Sequence, residues 1–542
     1  MRPFSALSPR VLLTLLAVPF ALLIAGFFAP AETVALLSVV AVATLVGGGV
    51  VALQSRYAGE GATARSPGTG RLAHAALTVF AAGSCLLVLM AAPGLYFKDA
   101  GELAASAHVL GVAHPTGFPL FCLAGKGFDL VPLGNAFFRL NLLSAVMMSA
   151  AAATAFFLVG RIWHAGRSET RMPSWVLLAA PASFLASHAV WLHGTTTEVY
   201  ALSTAGLAGT VCVFVAATLV KDGRLLLLGW FLVGLGAGGH VTWPLYGGLT
   251  GLAVSLWPAR GIAGGSKGWI AVPLVVLVGA LAVLYLPVAA SRGPVMNWGD
   301  PADPAGLWAH LSGERIRNSF TDQVVRLNGA ALLARASMAG SILWQGTGPI
   351  WPLALVGLFW CGRCFRWLGI VLGAILLADL VFAAWVNPMG TWDLQTLVSG
   401  TWVLSVLAAL GLGWLWRMAR GRKGRLSVAG LAVLALTAQV WMSGADRDMT
   451  PFEGARETSS RALTAGNTGA SLLATSDTLS AGLAALQAVE NARPDALVLV
   501  KAHLADTPYV TRQVQAHRTF DADDRLLRTL ESRPFESRGE GP

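Results

Sequence analysis

Two carboxylates and a histidine stand close together in a chain where charged side chains are scarce. They lie in Tyr96-Phe-Lys-Asp-Ala-Gly-Glu102 and its continuation Gly111-Val-Ala-His-Pro-Thr-Gly-Phe-Pro119. Asp99 and Glu102 have the Asp-x-x-Glu spacing of a helix capping box, in which Asp99 accepts amide N–H bonds and Glu102 reaches back. The same spacing suits a fixed general base. Burial raises a carboxylate's pKa toward neutrality, and ionisable groups at a hydrocarbon boundary are costly and usually functional. His114 sits in a stiff turn built by two prolines and a glycine, where it either donates to a phosphate or sugar hydroxyl or is simply satisfied by the fold.

Other candidates follow at intervals. Arg139 and Asn141 open an apolar run in Arg-Leu-Asn-Leu-Leu-Ser-Ala145; Arg139 either snorkels to an interface or pairs with a phosphate as a bidentate donor. Glu198 and Tyr200 occupy a short turn free of lysine and arginine, and His240 follows a glycine-rich run. Asn297-Trp298-Gly-Asp300 reads as a turn just past another apolar run, with Trp298 and Asp300 available to a ligand.

The elements that position these residues are apolar. Of 542 residues, 55% are hydrophobic and 12% charged, with mean hydropathy +0.63. These values fit a polytopic membrane protein rather than a large soluble enzyme. Apolar runs of about 18–22 residues, each able to cross a roughly 30 Å hydrocarbon core as a helix, predict about thirteen spans. They fall near 11–29, 32–53, 73–92, 136–160, 174–192, 199–220, 225–241, 243–257, 269–288, 348–362, 367–386, 397–416 and 426–443. The first is read as a helix rather than a cleaved signal, because no small-residue cleavage site follows and the next span begins almost at once.

Lys and Arg gather in alternate loops, among them Arg161, Lys221, Arg363 and Arg417–Arg425, whereas 193–198, 241–243 and 387–396 carry none. The asymmetry predicts a cytoplasmic N-terminus and, with an odd span count, an extracytoplasmic C-terminus. It also accounts for the net charge of +10 without nucleic acid, since no basic tract is interleaved with aromatics. Two longer outer segments, 93–135 and 289–347, are expected, the second holding an amphipathic stretch, Leu307–Leu327, along the interface.

Residues 444–542 change composition. Ser471–Thr475 and Asp495–Lys501 read as strands around a helix at Thr478–Asn491, a small α/β unit, and Glu531–Pro542 reads as disordered. The predicted organisation is therefore 1–72, two extra N-terminal helices; 73–443, the membrane catalytic domain; and 444–542, an outer domain. The five cysteines include one lone pair, Cys361-Gly-Arg-Cys364, with no second pair to complete a metal site, and none lies in the tail. No His-Glu-x-x-His pair or Walker loop is present.

At these residues the chain resembles the protein O-mannosyltransferase-like family, a branch of the GT-C membrane glycosyltransferases. Asp99-Ala-Gly-Glu102, Gly111–Pro119 and Arg139–Ala145 match its motifs in order, followed by Glu198-Val-Tyr200, Gly239-His240, Asn297-Trp-Gly-Asp-Pro301 and Arg493-Pro-Asp495. Two extra spans precede the acidic loop here. Tyr285-Leu-Pro is followed by Val288 where arginine is common, leaving Arg292 as a substitute.

The resemblance implies a GT-C-like helical fold and inverting transfer of a sugar, mannose by family expectation, from a polyprenyl-phosphate carrier. The acceptor is a hydroxyl of a protein Ser/Thr or a glycan on the extracytoplasmic face of a bacterial-type inner membrane. Asp99 would be the base, Glu102 its second or orienter, and His114 and Arg139 stabilisers of the leaving phosphate. Asn141, Glu198, Tyr200, His240, Trp298 and Asp300 would contact substrates. The partners are the lipid-linked donor, the acceptor and membrane lipid. No cofactor is called for, and two carboxylates alone do not indicate a divalent cation. The competing readings are a transporter or flippase of lipid-linked sugars, which expects charges midway along spans, and a non-catalytic assembly protein, which leaves the acids unexplained.

Overall fold

The computed structural model describes residues 68–166, 172–258, 266–314, 316, 329–387, 396–443 and 449–500. The spans expected at 11–29 and 32–53, the disordered end at Glu531–Pro542 and most of the stretch beyond residue 316 expected along the interface lie outside the described residues.

The order begins with α1 (Gly68–Leu89), the short α2 (Asp99–Val109) and α3 (Pro119–Asp129), and the long α4 (Ala136–Ala165). Next come α5 (Ser174–Ala186), α6 (His188–Thr195), α7 (Val199–Val220), α8 (Gly223–Leu235) and α9 (Thr242–Leu256). Then follow α10 (Ser266–Ala280), α11 (Tyr285–Ser291), α12 (Pro304–Leu311), α13 (Gly329–Thr347), α14 (Trp351–Cys364) and α15 (Arg366–Val381), which runs into a π turn at Phe382–Val386. The chain continues through α16 (Val398–Met418), α17 (Gly421–Met442), α18 (Gly454–Thr464), β1 (Ser471–Ala474), α19 (Asp477–Glu490) and β2 (Leu497–Val500).

Eight helices, or nine if the bent pair α5–α6 counts as one span, are long and apolar enough to cross a membrane among the described residues. The chain is thus a multi-pass helical membrane protein. α4 and α16 form its centre. α16 is buried continuously from Val398 to Gly413, and its Trp402 Nε1 donates to Ala151 O of α4 at 3.0 Å. α14 crosses α16 closely because Gly357 and Gly411 face each other's backbone, where any side chain would overlap Leu407 or Leu353. At the periphery, Ile270, Leu274 and Leu277 of α10 and Leu426, Val433 and Trp441 of α17 point outward, the pattern expected of lipid-facing helices.

Three differences from the sequence expectation matter. The predicted span 174–192 is broken at Ser187, which takes an extended backbone, so that α5 and α6 meet at 71°. The expected outer segment 289–347 contains α13, which continues through Gly348–Ile350 into α14. Its Arg335, Gln345 and serines dilute the apolar signal, so the combined stretch is the least apolar of the membrane-length helices among the described residues. Residues 225–241 and 243–257 form helices too short to pass as spans, separated by a glycine-rich turn that carries His240.

The tail elements fall within two residues of the expected bounds. β1 and β2 pair in parallel, Ser471 against Leu497 through Ala474 against Val500, as a strand–helix–strand unit requires. α19 does not stand apart from the membrane helices; it packs on α2. A Cβ built on Gly101 would lie 2.7 Å from Ala481 O, so the glycine between Asp99 and Glu102 permits the contact. The rings of Phe97 and Phe452, 5.3 Å apart and edge-on, and a bond of 3.1 Å from Met449 N to Met90 O hold the approach to the tail against the same region.

Candidate active site

α2 starts directly at Asp99. The residue before it, Lys98, sits at φ 62° with no side-chain cap, so Asp99 occupies the first turn and is not the cap residue. The capping-box reading is corrected accordingly. Glu102 turns to the following loop instead: its Oε1 accepts from the His114 backbone N–H at 2.6 Å, and its Oε2 lies 3.2 Å from His114 Nδ1. A flexible carboxylate in the first turn gains more from a half-buried imidazole and an amide than from its own helix start. Both acids also suit the positive end of the helix dipole.

Ligand atoms of Asp99, Glu102 and His114 all lie within 4.8 Å of one another, the one group of that kind among the described residues. An oxygen-seeking divalent cation would find three ligands there and would need water or substrate for the rest. Burial pushes the His114 pKa down. Glu102, then Asp99, outweigh it, with the Glu102 hydrogen bond and the Glu198 charge adding to them, so the imidazole rises from 6.5 to about 9. It is an imidazolium at neutral pH.

The His114 loop is clamped from the other side. Val112 N–H donates to Met296 O at 2.7 Å and Trp298 N–H to Val112 O at 3.1 Å, a two-bond bridge between the loop and the turn after α11. Tyr285 Oη donates to Gly111 O at 2.7 Å. Gly117, at φ +84°, closes the turn by donating to His114 O at 2.7 Å, and a Cβ there would meet Leu286 and His310. Trp298 therefore sits beside the loop, packed against the small cluster of Val112 and Leu286. Asp300 accepts from Asn297 Nδ2 at 2.8 Å and fastens the turn.

A row of rings leads away from the acids. His114 lies edge-on to Phe118 at 5.0 Å, Phe118 stacks with His240 at 6.3 Å, and His240 meets Tyr200 at 4.7 Å. His240 is held by Ser203 Oγ, which accepts its backbone N–H at 2.9 Å, and by Thr242 Oγ1, 3.0 Å from its Nδ1. Glu198 is buried at the start of α7, its N–H donating to Ser144 Oγ at 3.1 Å. Asn141 ties these pieces together. Its Nδ2 donates to Ala92 O at 2.8 Å and Gly94 O at 3.1 Å, while its Oδ1 accepts from Thr197 Oγ1 at 2.6 Å.

Arg139 is engaged elsewhere. Its Nη2 donates to Asp129 Oδ1 at 2.9 Å and its Nη1 to Gly134 O at 3.1 Å, which joins the start of α4 to the end of α3. His108 Nδ1 and Lys126 Nζ approach the other Asp129 oxygen at 2.8 and 3.2 Å. Burial raises the Asp129 pKa, but hydrogen bonds from His108 and Arg139 and the charges of His108 and Lys126 overcome it and hold the carboxyl well below the usual range. The guanidinium expected to meet a phosphate thus has an internal carboxylate partner.

Sequence reasoning passed over two groups. Asp129 reads as an ordinary helix end, although Lys126 three residues earlier was a usable signal. Asp379 lies inside an expected span and was not singled out from the sequence. It is 2% exposed and accepts from Tyr246 Oη at 2.9 Å and Gly400 N at 2.6 Å. An acid within an apolar run is itself the signal. The five cysteines are all free thiols, Cys361 and Cys364 included.

Fold and site together define a polytopic helical membrane protein with a half-buried acid–histidine cluster on a short helix and loop between spans. Residues 99–254 match the family model for the protein O-mannosyl-transferase TMEM260 N-terminal domain, so the resemblance carried by the sequence motifs holds over that segment. The chain is 30% identical over 268 residues to the protein O-mannosyl-transferase TMEM260 of Mus musculus, covering 47% of this chain and 36% of that one. It is 28% identical over 114 residues to the corresponding Dictyostelium discoideum protein, covering 20% and 13%. The aligned part therefore spans about a third or less of either relative. Among solved structures, ArnT from Cupriavidus metallidurans bound to undecaprenyl phosphate aligns over 82% of this chain and 88% of its own, with TM-score 0.49 and 13% identity.

Proposed function

We propose that the chain is a membrane glycosyltransferase that moves a sugar, mannose by analogy with its relatives' names, from a polyprenyl-phosphate carrier to an acceptor hydroxyl with inversion. The observation that carries the reading is the half-buried Asp99–Glu102–His114 cluster. Asp99 takes the acceptor proton as general base. Glu102 keeps His114 charged and in place, and the imidazolium faces the negative charge growing on the leaving phosphate. The phosphate is already a good leaving group, so positioning and charge supply most of the catalysis. Tyr200, half-buried at the end of the row Phe118–His240–Tyr200, offers its ring to a sugar, and the outward apolar helices border the carrier's tail.

The orientation follows the basic loops: N-terminus cytoplasmic, site and tail outside. Residues 1–72 add two spans to a GT-C-like domain at 73–443, and 444–542 form the outer domain, with the acceptor a protein Ser/Thr or glycan. The test is Asp99→Asn in the purified full chain in nanodiscs, supplied with labelled polyprenyl-phosphate mannose and a Ser/Thr-rich peptide. Loss of about 10²–10⁴ in kcat is expected for a general base. Wild-type rates in D99N would remove Asp99 from that role, and carrier movement without sugar release would replace transfer by transport.

A further inference from the structure

Where α7, α9, α15 and α16 converge, a small polar notch opens beside the ring row. Tyr200, Thr204, Thr242, Asp379, Thr396 and Ser399 line it, and its free space is about 10 Å³, room for one water-sized group. Apolar membrane helices have no packing reason to gather five hydroxyls and a carboxylate there. Asp379 is fixed by Tyr246 Oη and Gly400 N, and each of its oxygens keeps a further lone pair. Thr396 is 4% exposed, and its hydroxyl has no hydrogen-bond partner among the described residues. A buried hydroxyl left unmade costs free energy that a ligand group returns.

A row of packed rings links the wall of the notch to the site. Tyr200 and Phe382, both on its wall, flank His240 at 4.7 and 5.7 Å between ring centroids, and His240 stacks on Phe118 beside His114.

We propose that this notch reads one hydroxyl of the transferred pyranose, Asp379 accepting its proton in a hydrogen bond and Thr396 donating to its oxygen. A hydroxyl both donates and accepts and matches this pair, whereas a whole sugar ring exceeds the space. The ring lies outside, against Tyr200. The inference rests on the glycosyltransferase reading and deepens it by naming a group that sets donor specificity. A site built to hydrogen-bond a hydroxyl rejects the analogue lacking it strongly.

The experiment uses the full chain in nanodiscs with short-chain polyprenyl-phosphate mannose and its 2-, 3-, 4- and 6-deoxy analogues, measuring both equilibrium binding and transfer. One analogue should lose about 10²-fold or more against the parent donor. In Thr396→Val, whose shape is that of threonine, the ratio between the two donors should fall by up to about 10-fold, the Asp379 hydrogen bond remaining. The variant without ligand should melt no lower than the parent, since it removes an unpartnered hydroxyl. Equal use of all analogues, a preference unchanged in T396V, or a lowered melting temperature would each overturn the notch. Turnover without deoxy selectivity ends the notch and keeps the transferase reading. Selective binding without turnover does the reverse, and no binding of any donor ends both.

Discussion

Substituting Gly101 with alanine tests whether the tail unit sets the geometry of the acids. The new Cβ would lie 2.7 Å from Ala481 O, 2.9 Å from Ala481 C and 3.1 Å from Leu95 Cδ1. Ordinary contact begins at 3.4 Å, so α2 and α19 must separate by about 0.7 Å along that line. The two nearest obstructing atoms are helix backbone, which cannot swing aside as a side chain would. Overpacking of this kind costs about 1–3 kcal/mol.

Because Gly101 lies between Asp99 and Glu102, the displacement reaches both carboxylates. A misplacement of about 1 Å can cost on the order of 10²-fold in rate. The expectation is a fall of about 10–100-fold in kcat with little change in donor KM, together with faster proteolytic release of the tail. Gly373→Ala is the control, since nothing lies within 4 Å of its Cβ. Steady-state transfer and limited proteolysis measure the two effects. Parental kcat and parental protease resistance in G101A would show that α19 does not rest on α2 in the working protein.

The His114 imidazolium gives a pH signature. Its pKa is raised in the folded protein, so its stabilising contribution is complete below about 6.5 and is lost as pH rises through about 9. Transfer should decline above pH about 9, and Glu102→Gln should move that limb to lower pH, seen in pH–rate profiles of the two proteins. Arg139→Met leaves buried Asp129 with only His108 and Lys126, and a loss of about 1–3 kcal/mol in unfolding stability is expected, with Asp129→Asn in the same background restoring part of it. Asn141→Ala removes donors from Ala92 O and Gly94 O and the acceptor for Thr197; thermal unfolding should fall by an amount matching about 1–3 kcal/mol, without a shift in the pH–rate limb.

Much of the membrane architecture was legible because a bilayer imposes a length and a polarity on any helix that crosses it. The runs at 73–92, 136–160, 199–220, 367–386, 397–416 and 426–443 needed no more than that rule. It faltered where polarity was mixed, at α13 with Arg335, and where backbone geometry decided, at Ser187. The tail's strand–helix–strand order was equally readable, since strands of Leu and Val flank a helix with one apolar face.

The candidate site divides in the same way. Sequence alone placed Asp99, Glu102 and His114 in one segment, because scarce ionisable groups in an apolar chain stand out individually. It could not choose between Glu102 capping its own helix and Glu102 holding His114, since both satisfy the same carboxylate; only the loop bound to Met296 and Trp298 brings the imidazole within reach. Nor could it join Asp129 to Arg139, or Asp379 to Tyr246, 133 positions apart. Composition and periodicity report what each segment is. Which buried charges meet is fixed when helices distant in the chain pack together, because a charge withdrawn from water must find its partner in three dimensions.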